Sequence, residues 1–231
     1  MSYLYSSNNI QKMAINSFRD CIEKLAPISI PEHSIYNLEA FINGWLCSSS
    51  IKACETSYMD RLSDYVINLH PEFPNIIHWS DILYLKAGNE FSAFELFYHL
   101  HKSFLDENAE HKKPSEVSEV SEVSEVSEVS EVRFSDVISL CKSLNEDLHL
   151  LIRSPRYDYL TDFIAGWKSG INTHSINTVE KVSVFFEKLK KNIEKEYGKS
   201  IRNEYMELFY QKKQHSIAIK YLIQKMNACI I

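Results

Sequence analysis

The stretch Leu38-Glu39-Ala40-Phe41-Ile42-Asn43-Gly44-Trp45 returns later in the chain as Leu160-Thr161-Asp162-Phe163-Ile164-Ala165-Gly166-Trp167. In a helix, Phe and Trp four residues apart share one face, where together they form a large core anchor. The glycine before each tryptophan lets the backbone of a neighbouring helix come close. This spacing favours core packing for Trp45 and Trp167 over direct contact with a ligand. The match extends outward on both sides. Upstream, Phe18-Arg-Asp20-Cys-Ile22 echoes Phe134-Ser-Asp136-Val-Ile138. Downstream, the segment Ala93 to Lys102 (AFELFYHLHK) corresponds to Ala218 to Asn227 (AIKYLIQKMN). Three matches in one order at nearly constant separation identify an internal duplication.

The periodicity around these matches is helical. Ile15, Phe18, Ile22 and Leu25 fall at three- and four-residue steps, predicting a helix over 10–25 with one apolar stripe. Further helices are predicted over 37–47, 57–69, 79–86 and 90–105. In the second copy they fall at 134–152, 157–170, 177–197, 201–211 and 215–229. Pro71 and Pro74 must end the helix that closes at Leu69, and Gly88 and Gly198 stand where C-terminal caps are expected. With only 5 Gly and 6 Pro in 231 residues, the composition argues against a turn-rich β-sandwich or barrel. The expected fold is all-α: two tandem helical-bundle modules of four or five helices each, at 1–108 and 134–231. Each is long enough to bury a core of its own.

Between them lies a low-complexity linker, 109–133, containing six identical Ser-Glu-Val triplets at 115–132. A period of three winds the valines around a helix and also defeats the alternation of a strand. A solvated acidic tether is the expectation.

The net charge of −6 conceals a split. Residues 1–114 hold 9 Lys and Arg against 14 Asp and Glu, whereas 133–231 hold 16 against 11. One copy is acidic and the other basic, so the halves either attract each other or serve different partners. The basic run from Lys188 to Arg202 is interleaved with Glu187, Glu194 and Glu196, the pattern of a solvated, ion-paired helix face. Nucleic-acid binding is disfavoured accordingly. The N-terminus lacks the pattern of a secretory leader, and no apolar run is long enough to span a membrane. Five scattered cysteines without a CxxC pair suit free thiols in a reducing compartment, so cytoplasmic residence is expected.

The chain offers little catalytic chemistry. No nucleophile elbow, phosphate loop or zinc-protease signature occurs. His99 and His101 form an HxH pair, but on a helix two such side chains point apart, and adding His70 and His78 gives no familiar metal spacing. Cys47 and Cys54 read as small core residues. No catalytic residue, cofactor or metal site is assigned.

At Leu38–Trp45, Trp79 and Ala93–Phe97 the sequence resembles a group of small helical bacterial proteins. They share an opening Leu-x-x-Phe-hydrophobic-x-Gly-aromatic helix, a middle tryptophan and a closing aromatic helix. The second copy keeps the first element but has Tyr205 near the expected tryptophan. Many members are immunity proteins of polymorphic or contact-dependent toxin systems. The resemblance implies a cytosolic, non-enzymatic inhibitor that binds one basic toxin domain. An acidic face raises the association rate and selectivity of such a complex. The expected contacts are Glu39, Asp60, Asp64, Asp81 and Glu90, taken as acidic side chains on helix exteriors. The alternative from another class is a helical scaffold or secreted effector that engages host proteins, with an enzyme third.

Overall fold

The computed structural model describes residues 18–30, 33–48, 53–110, 136–172, 176–197 and 214–230. Among them every regular element is helical and no strand occurs. The first half contributes α1 (Phe18–Asp20), a π-helical turn (Cys21–Leu25), α2 (Ala26–Ser29), α3 (Ile35–Leu46), α4 (Ala53–Leu69), α5 (Trp79–Ala87) and α6 (Glu90–Glu110). The second contributes α7 (Val137–Glu146), α8 (Leu148–Leu151), α9 (Tyr157–Ile171), α10 (Ile176–Tyr197) and α11 (His215–Ile230). The expected helix over 201–211, the tether, Gly198 and Tyr205 lie outside the described residues.

Local chemistry sets most boundaries. Ser34 caps α3, its Oγ accepting from the backbone N–H of Tyr36 and Asn37 at 3.2 and 3.4 Å. Gly88 ends α5 in the left-handed region at φ 79°, its N–H donating to the Tyr84 carbonyl at 2.8 Å. Asp136 opens α7 with a capping box to Ser139. The single helix predicted over 134–152 is instead broken at Asp147. Asn145 turns its amide onto the Cys141 carbonyl at 2.7 Å, and Asp147 leaves helical geometry at φ −128°, ψ 27°. Side chains of this kind compete with the helix for backbone partners. The break turns Leu151 into the core.

The π turn has a cause in Pro27. Proline has no N–H, and its ring would strike the carbonyl four residues back. The turn widens, and the Ala26 N–H donates to the Cys21 carbonyl instead of that of Ile22. The Ile22 carbonyl receives the Tyr98 hydroxyl at 3.0 Å, from α6.

Two buried clusters form. One gathers Phe18, Ile22, Leu38, Phe41, Trp45, Trp79, Phe94, Phe97 and their neighbours from the first half. The other gathers Leu140, Leu160, Phe163, Trp167, Phe186, Leu222 and Met226 from the second, and it takes in Ala40 of α3. Nine of the twelve residues of α3 and ten of the fifteen of α9 are buried, so these two helices are enclosed nearly all round and run through the middle of the molecule.

Candidate functional site

The glycines of the repeated stretch mark where α3 and α9 meet. A Cβ added at Gly44 would lie 1.9 Å from the Phe163 carbonyl oxygen, and one at Gly166 would lie 1.9 Å from that of Phe41. The two contacts are reciprocal: each Phe-Ile-x-Gly-Trp helix seats its glycine on the other's phenylalanine backbone. Further along, a Cβ at Gly170 would fall 2.2 Å from Ser48 Oγ and 3.1 Å from the Trp45 carbonyl oxygen. At the other end, Asn37 Nδ2 donates to the buried carboxylate of Asp162. Contacts advance in the same direction on both helices, so α3 and α9 lie side by side in parallel. Ala40 and Gly44 of α3, and Ser48 just past its end, lie on the side turned to Gly166 and Gly170 of α9. Small residues at every fourth position are what allow backbones this close. The neighbouring helix for which Gly44 and Gly166 leave room is thus the other helix that carries the Phe-Ile-x-Gly-Trp pattern.

Around the rim of this crossing sits a polar cluster built from both halves. Arg153, in the segment before α9, reaches the first half and forms a two-pronged ion pair with Asp81 of α5, with Nη2 2.9 Å from Oδ2. Its Nε lies 3.3 Å from Glu39 Oε2, and its guanidinium stacks 4.7 Å from the centre of the Tyr36 ring. The Tyr36 hydroxyl donates to Asp81 Oδ1 at 3.1 Å. Ser80 Oγ accepts from Arg153 at 3.3 Å and donates to Glu39 at 2.7 Å, and His78 Nδ1 lies 3.6 Å from the same carboxylate. Three residues further on, Arg156 pairs with Asp158 at 2.7 Å, stacks on Tyr159 and reaches Glu90 at 3.9 Å. Glu90 also accepts from the Ser34 hydroxyl.

The electrostatics follow from this geometry. Burial pushes the Asp81 carboxyl up, but the hydrogen bond and charge of Arg153 outweigh it and leave it below the usual carboxylate range. Burial and the hydrogen bond to Asp81 hold the Tyr36 phenol above its usual value. Burial lowers His78, with Glu39 opposing and Arg153 assisting. Neutral imidazole is therefore favoured there.

Of the five acidic contacts expected from the sequence, Glu39 proves not to lie on a helix exterior. It is 8% exposed, because α3 is enclosed and its carboxylate turns in toward Ser80 and Arg153. Asp81 and Glu90 sit at the junction facing the chain's own arginines. Asp60 and Asp64 remain exposed on the outer face of α4. The sequence reading missed Arg153, Arg156 and the Asn37–Asp162 pair. The charge split left attraction between the halves as one of two alternatives, and the arginines come from the irregular segment around Ser154-Pro155, where no periodicity operates.

Elsewhere, His99 is exposed while His101 is buried, its ring stacked on Phe97. No group of three or more His, Cys, Asp or Glu side chains stands close enough to hold a metal among the described residues. Nor is any helix among them long and apolar enough to cross a membrane. A shallow groove of about 520 Å³ runs between α7–α8 and α11, lined by Leu144, Leu148, Pro155, Ile219 and Ile223 among others. Comparison with protein-family models, with curated proteins and with solved structures finds no match.

Proposed function

We propose that the chain is a duplicated, two-module protein-binding protein, and that it acts in the cytoplasm as an immunity protein neutralising a basic toxin domain. The observation that carries this reading is where acidic side chains lie exposed away from the junction. Asp60 and Asp64 lie exposed one turn apart on α4, and Asp106 and Glu107 lie exposed at the end of α6. Tyr65 ties the two helices together there, donating to Glu107 at 2.8 Å. The exposed carboxylates of Asp60, Asp64, Asp106 and Glu107 thus lie on two helices joined to each other, a placement suited to a basic protein surface. The two-helix frame beneath them is anchored by aromatic packing of Tyr58 and Tyr65 on Phe104. A frame so supported needs little ordering on binding, which favours affinity.

The reading is tested by capturing partners from the source cells with tagged protein and repeating the capture with Asp60→Lys/Asp64→Lys. A single stoichiometric partner with a basic surface is expected, reduced roughly tenfold or more in affinity by the double reversal. The partner should also halt growth when produced alone and not when produced with the intact chain. Capture of several unrelated proteins, or a partner indifferent to the reversal, refutes it and favours a scaffold.

A further inference from the structure

We propose that the α3–α9 junction is a self-sufficient and charge-selective association surface: the two halves bind each other as unlike partners, and the covalent connection between them is dispensable for that pairing. The inference rests on the two-module reading but not on the identity of any outside partner.

Three observations bear on it. First, the crossing is reciprocal. Gly44 sits on the Phe163 carbonyl and Gly166 on that of Phe41, the arrangement two subunits related by a two-fold axis would use. Among the described residues each half also keeps its own large buried cluster, with only Ala40 contributed across the divide as a fully buried member. The contact between halves joins two clusters along α3 and α9, with Tyr36 and Cys47 packed on the second cluster and Ala165 on the first.

Second, a symmetric crossing by itself would let like halves pair, and the polar groups oppose this. In the repeat, Asn37 corresponds to Tyr159 and Ala40 to Asp162. The Asn37–Asp162 hydrogen bond therefore exists only between unlike halves. Two second halves would set the buried Asp162 carboxylate against a tyrosine position, without its amide donor. Two first halves would set Asn37 against alanine.

Third, the rim repeats the lesson with charge. Glu39, Asp81 and Glu90 come from the first half, and Arg153 and Arg156, which meet them, come from the second. The positions in the first half that correspond to Arg153 and Arg156 are Pro31 and Ser34. Two first halves would set Glu39, Asp81 and Glu90 against Pro31 and Ser34 in place of the arginines, and two second halves would leave Arg153 without the Glu39 and Asp81 carboxylates, while Arg156 keeps Asp158. Specificity against the wrong partner is set this way, by groups left unpaired in it.

The test uses the full chain with one protease site inserted within 111–135. After complete cleavage, size exclusion with light scattering should show one species, holding both fragments at 1:1, with far-UV circular dichroism unchanged and the complex intact at micromolar concentration. In Arg153→Glu the uncut chain is held together by its connection. Its circular dichroism checks folding, and cleavage should then release the fragments, with affinity down roughly 100-fold or more. Adding Asp81→Arg to Arg153→Glu should restore part of the pairing. Separation or unfolding of the cut parent chain, or exchange into dimers of like fragments, overturns the proposal. Cut Arg153→Glu chains that stay together as tightly as the parent overturn its charge-selective part. None of these outcomes depends on whether a toxin partner exists.

Discussion

Replacing Gly44 by alanine places one methyl group where the geometry has no room for it. Its Cβ would stand 1.9 Å from the Phe163 oxygen, 2.8 Å from the Phe163 carbonyl carbon and 2.9 Å from the Trp167 nitrogen. All three are backbone atoms of α9, so no side chain can swing aside. To reach an ordinary contact the two helices must part locally by more than 1 Å, on the order of the gap that forfeits up to half of a dispersion contact. Overpacking costs about 1–3 kcal/mol where neighbours can adjust, and this site belongs at the upper end. Against it stands the helix propensity of alanine over glycine, worth about 1 kcal/mol in favour of the variant. The net expectation is a loss of about 2 kcal/mol or more, or roughly 4–8 °C in Tm for a chain of this size. Gly166→Ala should behave alike, because its Cβ meets the Phe41 oxygen at the same distance. Gly88→Ala serves as a control, since nothing lies within 4 Å and only its positive φ is strained. Urea unfolding followed by the fluorescence of the buried tryptophans Trp45, Trp79 and Trp167 measures all three. If Gly44→Ala or Gly166→Ala raises the unfolding midpoint, propensity alone governs these sites and the close crossing is refuted.

Other expectations concern single polar groups. Arg153→Met should cost about 2–4 kcal/mol, because it strands the buried Glu39 carboxylate, and Glu39→Gln in the same chain should recover part of the loss in a double-mutant cycle. Tyr98→Phe removes the donor to the carbonyl left open by the π turn and should cost about 1–2 kcal/mol by urea titration. Burial lowers His101 to about 4, so the folded chain holds it neutral where the unfolded chain, near 6.5, would charge it. The stability this group contributes is complete above about pH 6.5 and is lost progressively as pH falls toward 4. His101→Phe should flatten that part of the stability profile, and an unaltered slope between pH 7 and 4.5 would count against the assignment.

How much of this was legible beforehand differs from feature to feature. The helices around Trp45 and Trp167 could be read because apolar side chains recur at three- and four-residue steps, a pattern fixed by the backbone itself. The end of α5 at Gly88 and the stop after Leu69 were legible for the same local reason. The break at Asp147 was not, since Leu144, Leu148 and Leu151 sustain a helical stripe through it, while the competing hydrogen bond of Asn145 depends on side-chain geometry. The candidate contacts divide similarly. An acidic residue at helical spacing was visible at Glu39, but the sequence could not say that both flanks of its helix would be covered.

By itself, then, the sequence determined the helical character of the described residues, many of their boundaries and the need for close approach at Gly44 and Gly166. Each of those rests on interactions spanning a few residues, where composition and periodicity dictate the outcome. Only the tertiary structure decided that α3 and α9 satisfy that need with each other. It also decided that Arg153 and Arg156 turn to Glu39, Asp81 and Glu90, and that Asp60 and Asp64 are left facing outward. These partners lie far apart along the chain. Their pairing is set by which faces remain to be buried once every helix has formed, and that is a property of the whole packing.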